Sequence, residues 1–211
     1  MVKKITKTTR GKTTRERKKI IVVGTEGNNK TEELYLRELE KKQCQYHFLF
    51  APGNETDPVK IVRNTIKKVK DEELSFKDGD LAISIFDLDM DRAKEDQLNQ
   101  AKALSQAKSI GLVTSNPCFE IWYLEHFGYT SKPFSNSAEL IKELKKHLSE
   151  YNKSKSYFEI LYPLTKEAVK NCALLDKHHT LSGPEGLSEF NNPRTDVYKL
   201  VEIILAERGD V

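Results

Sequence analysis

The sequence has little cysteine: Cys44, Cys118 and Cys172 are its three thiols, widely spaced and without a CxxC pair. An odd count at such spacing excludes a disulfide framework and gives no thiolate set for zinc, so reduced thiols in a cytoplasmic protein are expected. Long apolar runs are missing too. No segment approaches the roughly 20 residues that span a bilayer. The basic N-terminus lacks the apolar stretch of a secretory signal, which again predicts a cytoplasmic location. There is no internal repeat. With 37% hydrophobic and 32% charged residues over 211 positions, the composition suits one soluble core with at most a small appended subdomain.

Charge is present but uneven. Residues 1–19 hold nine basic side chains (Lys3, Lys4, Lys7, Arg10, Lys12, Arg15, Arg17, Lys18, Lys19) and one acid, Glu16, a net of +8. The whole chain is +3, so residues 20–211 carry −5. Residues 1–18 therefore read as a flexible basic arm suited to a polyanion, because neutralised phosphates release counterions. A solubilising leader is the alternative.

Hydrophobic patterning predicts four strands: Lys19–Gly24, Tyr46–Ala51, Asp80–Phe86 and Ile110–Thr114. They alternate with helices starting near Lys30 or Thr31, after Pro58, and through Leu98, Ala101 and Leu104. Val59, Val62, Ile66 and Val69 share one helical face. The alternation over residues 19–127 predicts an α/β core with a mostly parallel sheet flanked by helices. Residues 128–211 turn helical and are expected to form an extension packed on that core. Its stripes are Leu140, Ile141, Leu144 and Leu148; Leu164, Ala168, Cys172 and Leu175; and Val197, Leu200, Val201, Ile204 and Leu205. Asn136 and Glu139 have capping-box spacing. Ser149–Ser156 and Leu181–Pro193 read as loops.

Right-handed crossovers bring the strand C-termini to one edge, where open α/β sheets bind ligands. Glu26, the Asp87-Leu88-Asp89-Met90-Asp91 cluster and Ser115–Glu120 all follow strand ends. In extended backbone Asp87 and Asp89 face the same side, and hard oxygen donors suit Mg²⁺ or Mn²⁺. A solvated acidic turn capping the next helix is the bland alternative. An EF-hand is excluded, since its sixth position is Arg92 instead of Gly and its twelfth is Leu98 instead of Glu. Gly24–Thr31 misses a Walker A motif because Asn29 stands where Gly is required, although Lys30 at a helix start suits a phosphate. Arg194 is a second phosphate candidate. His126 reads as a satisfied, partly buried residue, and His178 and His179 as helix-end caps. Phe119 and Trp122 read as core.

Several stretches carry a resemblance: Gly24-Thr25-Glu26-Gly27 with Thr31-Glu32 and Tyr35; Phe86-Asp87-Leu88-Asp89; Ser115-Asn116-Pro117-Cys118-Phe119-Glu120-Ile121-Trp122 with His126-Phe127; and Asn192-Pro193-Arg194-Thr195. On these the chain resembles the RloB-like family of bacterial Toprim-domain proteins. The resemblance implies a Toprim-like sheet with Glu26 in acid–base or metal chemistry, Asp87 and Asp89 as metal ligands, and Glu32, Asp91 and Glu120 as further acids. It implies a Mg²⁺- or Mn²⁺-dependent nuclease of DNA or RNA, in phage defence beside an ATPase partner. No topoisomerase tyrosine domain or primase template domain is seen, which favours a nuclease. The alternative of another class is a non-catalytic nucleic-acid or nucleotide-binding sensor or partner subunit. A P-loop nucleotide hydrolase, resting on Lys30, is a third.

Overall fold

A computed structural model describes residues 17–27, 30–43, 45–89, 95–182, 188 and 190–206, with Lys30 defined by its backbone alone. Four parallel strands, β1 (Lys19–Gly24), β2 (Tyr46–Phe50), β3 (Leu81–Asp87) and β4 (Gly111–Asn116), are joined by α1 (Lys30–Lys42), α2 (Pro58–Asp71) and α3 (Glu95–Gln106). The short helix α4 (Glu120–Leu124) leads into α5 (Ser137–Leu144), α6 (Phe158–Leu161), α7 (Thr165–Ser182), β5 (Arg194–Thr195) and α8 (Val197–Ala206). The sheet order is β2-β1-β3-β4-β5, parallel except at β5. The predicted α/β class with a mostly parallel sheet and a helical C-terminal part is what the chain adopts.

Strand alternation divides the interior in two. Ile21 and Val23 of β1, Ile83 and Ile85 of β3 and Val113 of β4 point into one large cluster. That cluster also takes in Tyr35 of α1, Trp122 of α4, Leu140 of α5, Phe158 of α6, Cys172 of α7 and Val201 of α8. Val22, Ala82 and Phe86, one position out of phase, face α2 and α3 instead. A side-chain period of two explains the split, and it explains why these strands are apolar on both faces.

The C-terminal helices share that cluster with the strands, so residues on both sides of position 127 are packed as one interior. The C-terminal part also supplies β5, directly after the segment Leu181–Pro193 that reads as a loop. Ser115 pairs with Thr195 and Asn116 with Arg194. Two residues show no alternation, so hydrophobic pattern had nothing to detect. The buried face of α2 is also displaced from the expected stripe: Ile61, Val62 and Thr65 are buried, while Val59, Ile66 and Val69 are only partly so. The Thr65 hydroxyl is satisfied in its buried place by hydrogen bonds to Ile61 O (3.0 Å) and Ser84 Oγ (2.8 Å).

Caps mark the helix starts. Asp57 accepts from the amides of Val59 and Lys60, with Pro58 at the first helical position, where an N–H would have no helical partner anyway. Asn136 accepts from the Glu139 amide at 2.9 Å, but Glu139 returns to the amide of Ser135 (2.8 Å), one residue before the cap. Among the described residues no helix is long and apolar enough to cross a membrane.

Gly24, at the end of β1, shows how closely α2 lies on the sheet. A Cβ there would sit 2.1 Å from Thr65 Oγ1 and 3.3 Å from the Ile61 carbonyl. Gly24→Ala is expected to cost about 1–3 kcal/mol through overpacking. Urea unfolding of the variant beside the parent protein measures it, and an unchanged midpoint would contradict this packing.

Candidate functional site

Three strand ends and one helix start converge on one edge. Glu26 follows β1, Asp87 is the last residue of β3, and Glu120 opens α4 after the turn that leaves β4. Thr31 and Glu32 lie in the first turn of α1. From β1 the chain moves outward to β2, whereas from β3 it moves the other way to β4. The crevice between β1 and β3 is therefore the topological switch point, where open α/β sheets take their ligands. Glu26 spans it: its Oε1 accepts from the Asp87 amide at 3.3 Å.

The neighbouring exit loops are tied to each other. Asp87 is buried, and its Oδ1 accepts from the Phe119 amide at 2.9 Å. The Leu88 amide donates to Ser115 O (2.9 Å) and the Asp89 amide to Pro117 O (3.1 Å). Following that path puts Asp89 at φ 48, a left-handed conformation that aspartate tolerates better than most residues. The extended alternation expected to aim Asp87 and Asp89 together stops at Asp87. Asp89 is exposed, with Ser137 Oγ donating to its Oδ1 at 3.4 Å.

Gly27 permits the close return of the loop beside Glu26. A Cβ at Gly27 would lie 1.9 Å from Asn54 Cα, and the Gly27 amide donates to Glu55 O at 3.2 Å.

Glu120 is fully buried. The Tyr151 hydroxyl donates to its Oε1 at 2.7 Å, and Lys153 Nζ lies 3.2 Å from the same oxygen. With the tyrosine proton so used, Thr31 Oγ1, 3.4 Å from that hydroxyl, is the donor of their contact. Oε2 of Glu120 and Oε2 of the buried Glu32 have no hydrogen-bond partner among the described residues.

Burial dominates the electrostatics. It raises the Glu32 carboxyl to about 8; the charges of Glu120 and Glu26 push the same way, while a backbone hydrogen bond and Lys153 oppose them. Asp87 is pushed well above the ordinary carboxylate range by burial, then by Glu32, Glu120 and Glu26. Burial works against the Lys153 charge, but Glu120 and, more weakly, Asp87 outweigh it and hold the ammonium protonated more firmly than usual. The Cys118 thiol is pushed up by burial and then by Glu120 and Asp87, which disfavours a nucleophilic thiolate.

An all-carboxylate donor set with buried, unpartnered oxygens fits a hard divalent cation. Among the described residues, no three carboxylates, imidazoles or thiols stand close enough to share one ion as they are placed. Asp91 lies outside the described residues, as do the side chain of Lys30 and the arm residues Lys3, Lys4, Lys7, Arg10, Lys12 and Arg15.

Other expected phosphate contacts lie elsewhere. Arg194 is buried and pairs with Asp196 (2.7 Å) and Asp176 (3.7 Å), so its guanidinium serves an internal ion-pair network. Arg17 holds Asp80 through two 2.9 Å hydrogen bonds at the N-terminal end of the sheet. Lys18 is exposed, and Lys19 begins β1 with its ammonium over the Tyr46 ring. His126 is buried, its Nδ1 2.7 Å from Trp122 O, and burial lowers it to about 4. The sequence reading quoted Thr31 beside Glu32 without giving it a role, and missed Tyr151 and Lys153 as members of the cluster. Their one visible signal is a pair of tyrosines, Tyr151 and Tyr157, bracketing an otherwise polar loop.

Comparisons with curated proteins and with solved structures give no match. A family model, described as RloB-like protein, matches residues 21–204. That span takes in nearly all of β1, every other strand, the carboxylate edge and most of α8, so the chain belongs to the RloB-like protein family.

Proposed function

We propose that the chain is a Toprim-type, Mg²⁺- or Mn²⁺-dependent nuclease that hydrolyses nucleic-acid phosphodiesters, acting in bacterial phage defence beside an ATPase partner. One observation carries the reading. Glu26, Glu32, Asp87 and Glu120 are gathered at the switch point, two of them with a buried oxygen that no protein group satisfies among the described residues. Glu26, Asp87 and Asp89, with Glu32, Asp91 and Glu120, would hold the metal. A bound divalent ion supplies a water acidic enough to attack near neutral pH and offsets charge on the phosphate oxygens.

The chain's own residues do the rest. Glu26 is half-buried at the mouth of the crevice and is assigned as the acceptor of the attacking water's proton. The Phe119 amide fixes Asp87, and Tyr151 with Lys153 orients Glu120. Glu32 retains a proton near neutral pH until a cation replaces it. A second reading, a non-catalytic nucleic-acid-binding partner, draws on the absence of a pre-assembled three-ligand group among the described residues. A surface that only binds phosphates needs none.

Calorimetric titration with Mn²⁺ separates the readings. Saturable heat that disappears in Asp87→Ala/Asp89→Ala supports the ion site, and equal, negligible heats in both proteins favour the binding partner. Glu26→Gln is expected to lower cleavage of plasmid or RNA about 10²-fold or more while leaving the circular dichroism spectrum unchanged. Full metal-dependent cleavage by Glu26→Gln would refute its assigned role.

Stability should depend on pH through the same acids. Glu32 and Glu125 each have a folded value of about 8 against an ordinary 4.5, both chiefly from burial. Their folded forms bind protons more tightly, so this stability is full below about 4.5 and lost as pH rises through about 8. Without divalent ion, the thermal midpoint should fall between about pH 7 and 8, the part of the 4.5–8 range in which His126 is neutral in both states, and level off above it. Glu32→Gln and Glu125→Gln should each flatten that fall. Saturating Mg²⁺ should remove the Glu32 part alone, since Glu125 lies outside the cluster. A flat profile in the ion-free parent protein would count against buried, protonated acids.

A further inference from the structure

The outer face of α2 is a basic stripe that the acidic edge does not explain. Lys60, Arg63, Lys67 and Lys70 recur at i, i+3, i+7 and i+10, and all four are exposed or nearly so along the side away from the sheet, which Ile61, Val62 and Thr65 face. With Lys68 the helix holds five basic residues and one acid, Asp71, a net of +4 in a body of net −5. Among the described residues Arg63, Lys67 and Lys70 have no ion-pair partner, although Lys60 lies 3.4 Å from Glu55. Asp71 closes the stripe at its end. A shallow cavity of about 180 Å³ lined by Pro52, Asn64, Lys67, Lys68 and Asp71 runs beside it.

Its position gives the stripe meaning. α2 begins at the acidic edge, where Glu55 O accepts from the Gly27 amide, next to Glu26. As a crossover helix it runs back to the opposite end of the sheet, where Val69 packs in the same cluster as Ile20 at the start of β1. The stripe therefore spans about 15 Å, at 1.5 Å per residue, between the candidate site and the end of the sheet where β1 begins.

We propose that this face of α2 is a docking surface for the phosphate backbone of duplex DNA, guiding it toward the acidic edge; the proposal rests on the nuclease reading above. A rigid row of cations complements a duplex, which presents one charge per about 1.7 Å of axis. Single strands are held on stacking aromatics, and α2 has no aromatic residue.

The test uses the full chain with Arg63→Gln/Lys67→Gln/Lys70→Gln. A control, Lys166→Gln/Lys170→Gln/Lys177→Gln, removes as many charges from exposed positions on α7, packed on the other side of the sheet. Fluorescence anisotropy reads binding of a labelled duplex, and of one of its strands alone, against salt. The α2 variant should bind duplex about tenfold or more weakly. Its salt slope should be less negative by about 2–3, since each neutralised phosphate contributes about −0.9. Its Mn²⁺ titration should match the parent protein, and the control should keep parental affinity. The arm is intact in every protein, so its contribution cancels. Equal weakening in both variants would reduce the effect to net charge and overturn the proposal. So would weakening confined to the single strand, or none at all. Failure of the parent protein to bind either probe would also overturn the docking surface, while Mn²⁺-dependent cleavage of plasmid or RNA by the same protein judges the nuclease reading separately.

Discussion

Like charges held together out of water are the constraint around which this fold is arranged. Two carboxylates about 5 Å apart repel by about 3 kcal/mol at an effective permittivity near 20, against a typical domain stability of about 5–15 kcal/mol. A cluster of Glu26, Glu32, Asp87 and Glu120, all ionised, would consume much of that margin. The chain relieves it in three ways. Backbone amides donate to oxygens of Glu26 and Asp87, Lys153 sets a positive charge against Glu120, and burial pushes the carboxyls of Glu32 and Asp87 upward, toward their neutral forms. Each is partial, since among the described residues Glu32 and Glu120 still hold an unsatisfied oxygen. A fold optimised for stability alone would place apolar groups there, so the retained charge points to a ligand that completes it.

Holding the acids together requires close backbone approach, and the tight contacts sit around the crevice. Gly24 lets α2 rest against the end of β1, and Gly27 lets the Glu26 loop touch the chain at Asn54. The amides of Leu88 and Asp89 bind the exit of β3 to that of β4. Position in this site is thus fixed by main chain, with side chains added on top. The same bonds turn Asp89 outward and leave it less constrained than Asp87.

The parallel strands and their order of appearance were legible because both faces of the sheet are covered, which makes β1 and β3 nearly continuous apolar runs. Asp87 was legible for a related reason: a charged residue that closes such a run stands at the sheet's edge by construction, and Glu26 and Glu120 lie two and four residues past the ends of β1 and β4. What sequence could not show depended on distant pairing. β5 is two residues long and exists only because Ser115 and Asn116 offer it a partner. Arg194 reads as a surface phosphate contact until Asp176, eighteen positions upstream, is brought alongside. Lys153 lies in a polar loop and becomes part of the site only when Tyr151 folds onto Glu120.

The distribution of charge then poses a mechanical problem that the fold answers by segregation. An acidic edge repels the polyanion it is proposed to cut, and the net charge of residues 20–211 does the same. Attraction must come from cations placed off the edge, near enough to deliver a phosphate and far enough not to neutralise the acids. Lys153 is inside the cluster and engaged with Glu120; Arg17 is held by Asp80; Arg194 is buried among aspartates. Along α2, by contrast, Lys60, Arg63, Lys67 and Lys70 are exposed in one row on a helix that starts beside the crevice. In the proposed reading the two signs stand apart, the acids at the strand ends and in the first turn of α1 to hold a cation, and the phosphate-binding cations on the outer face of α2, a surface that takes nothing from the core.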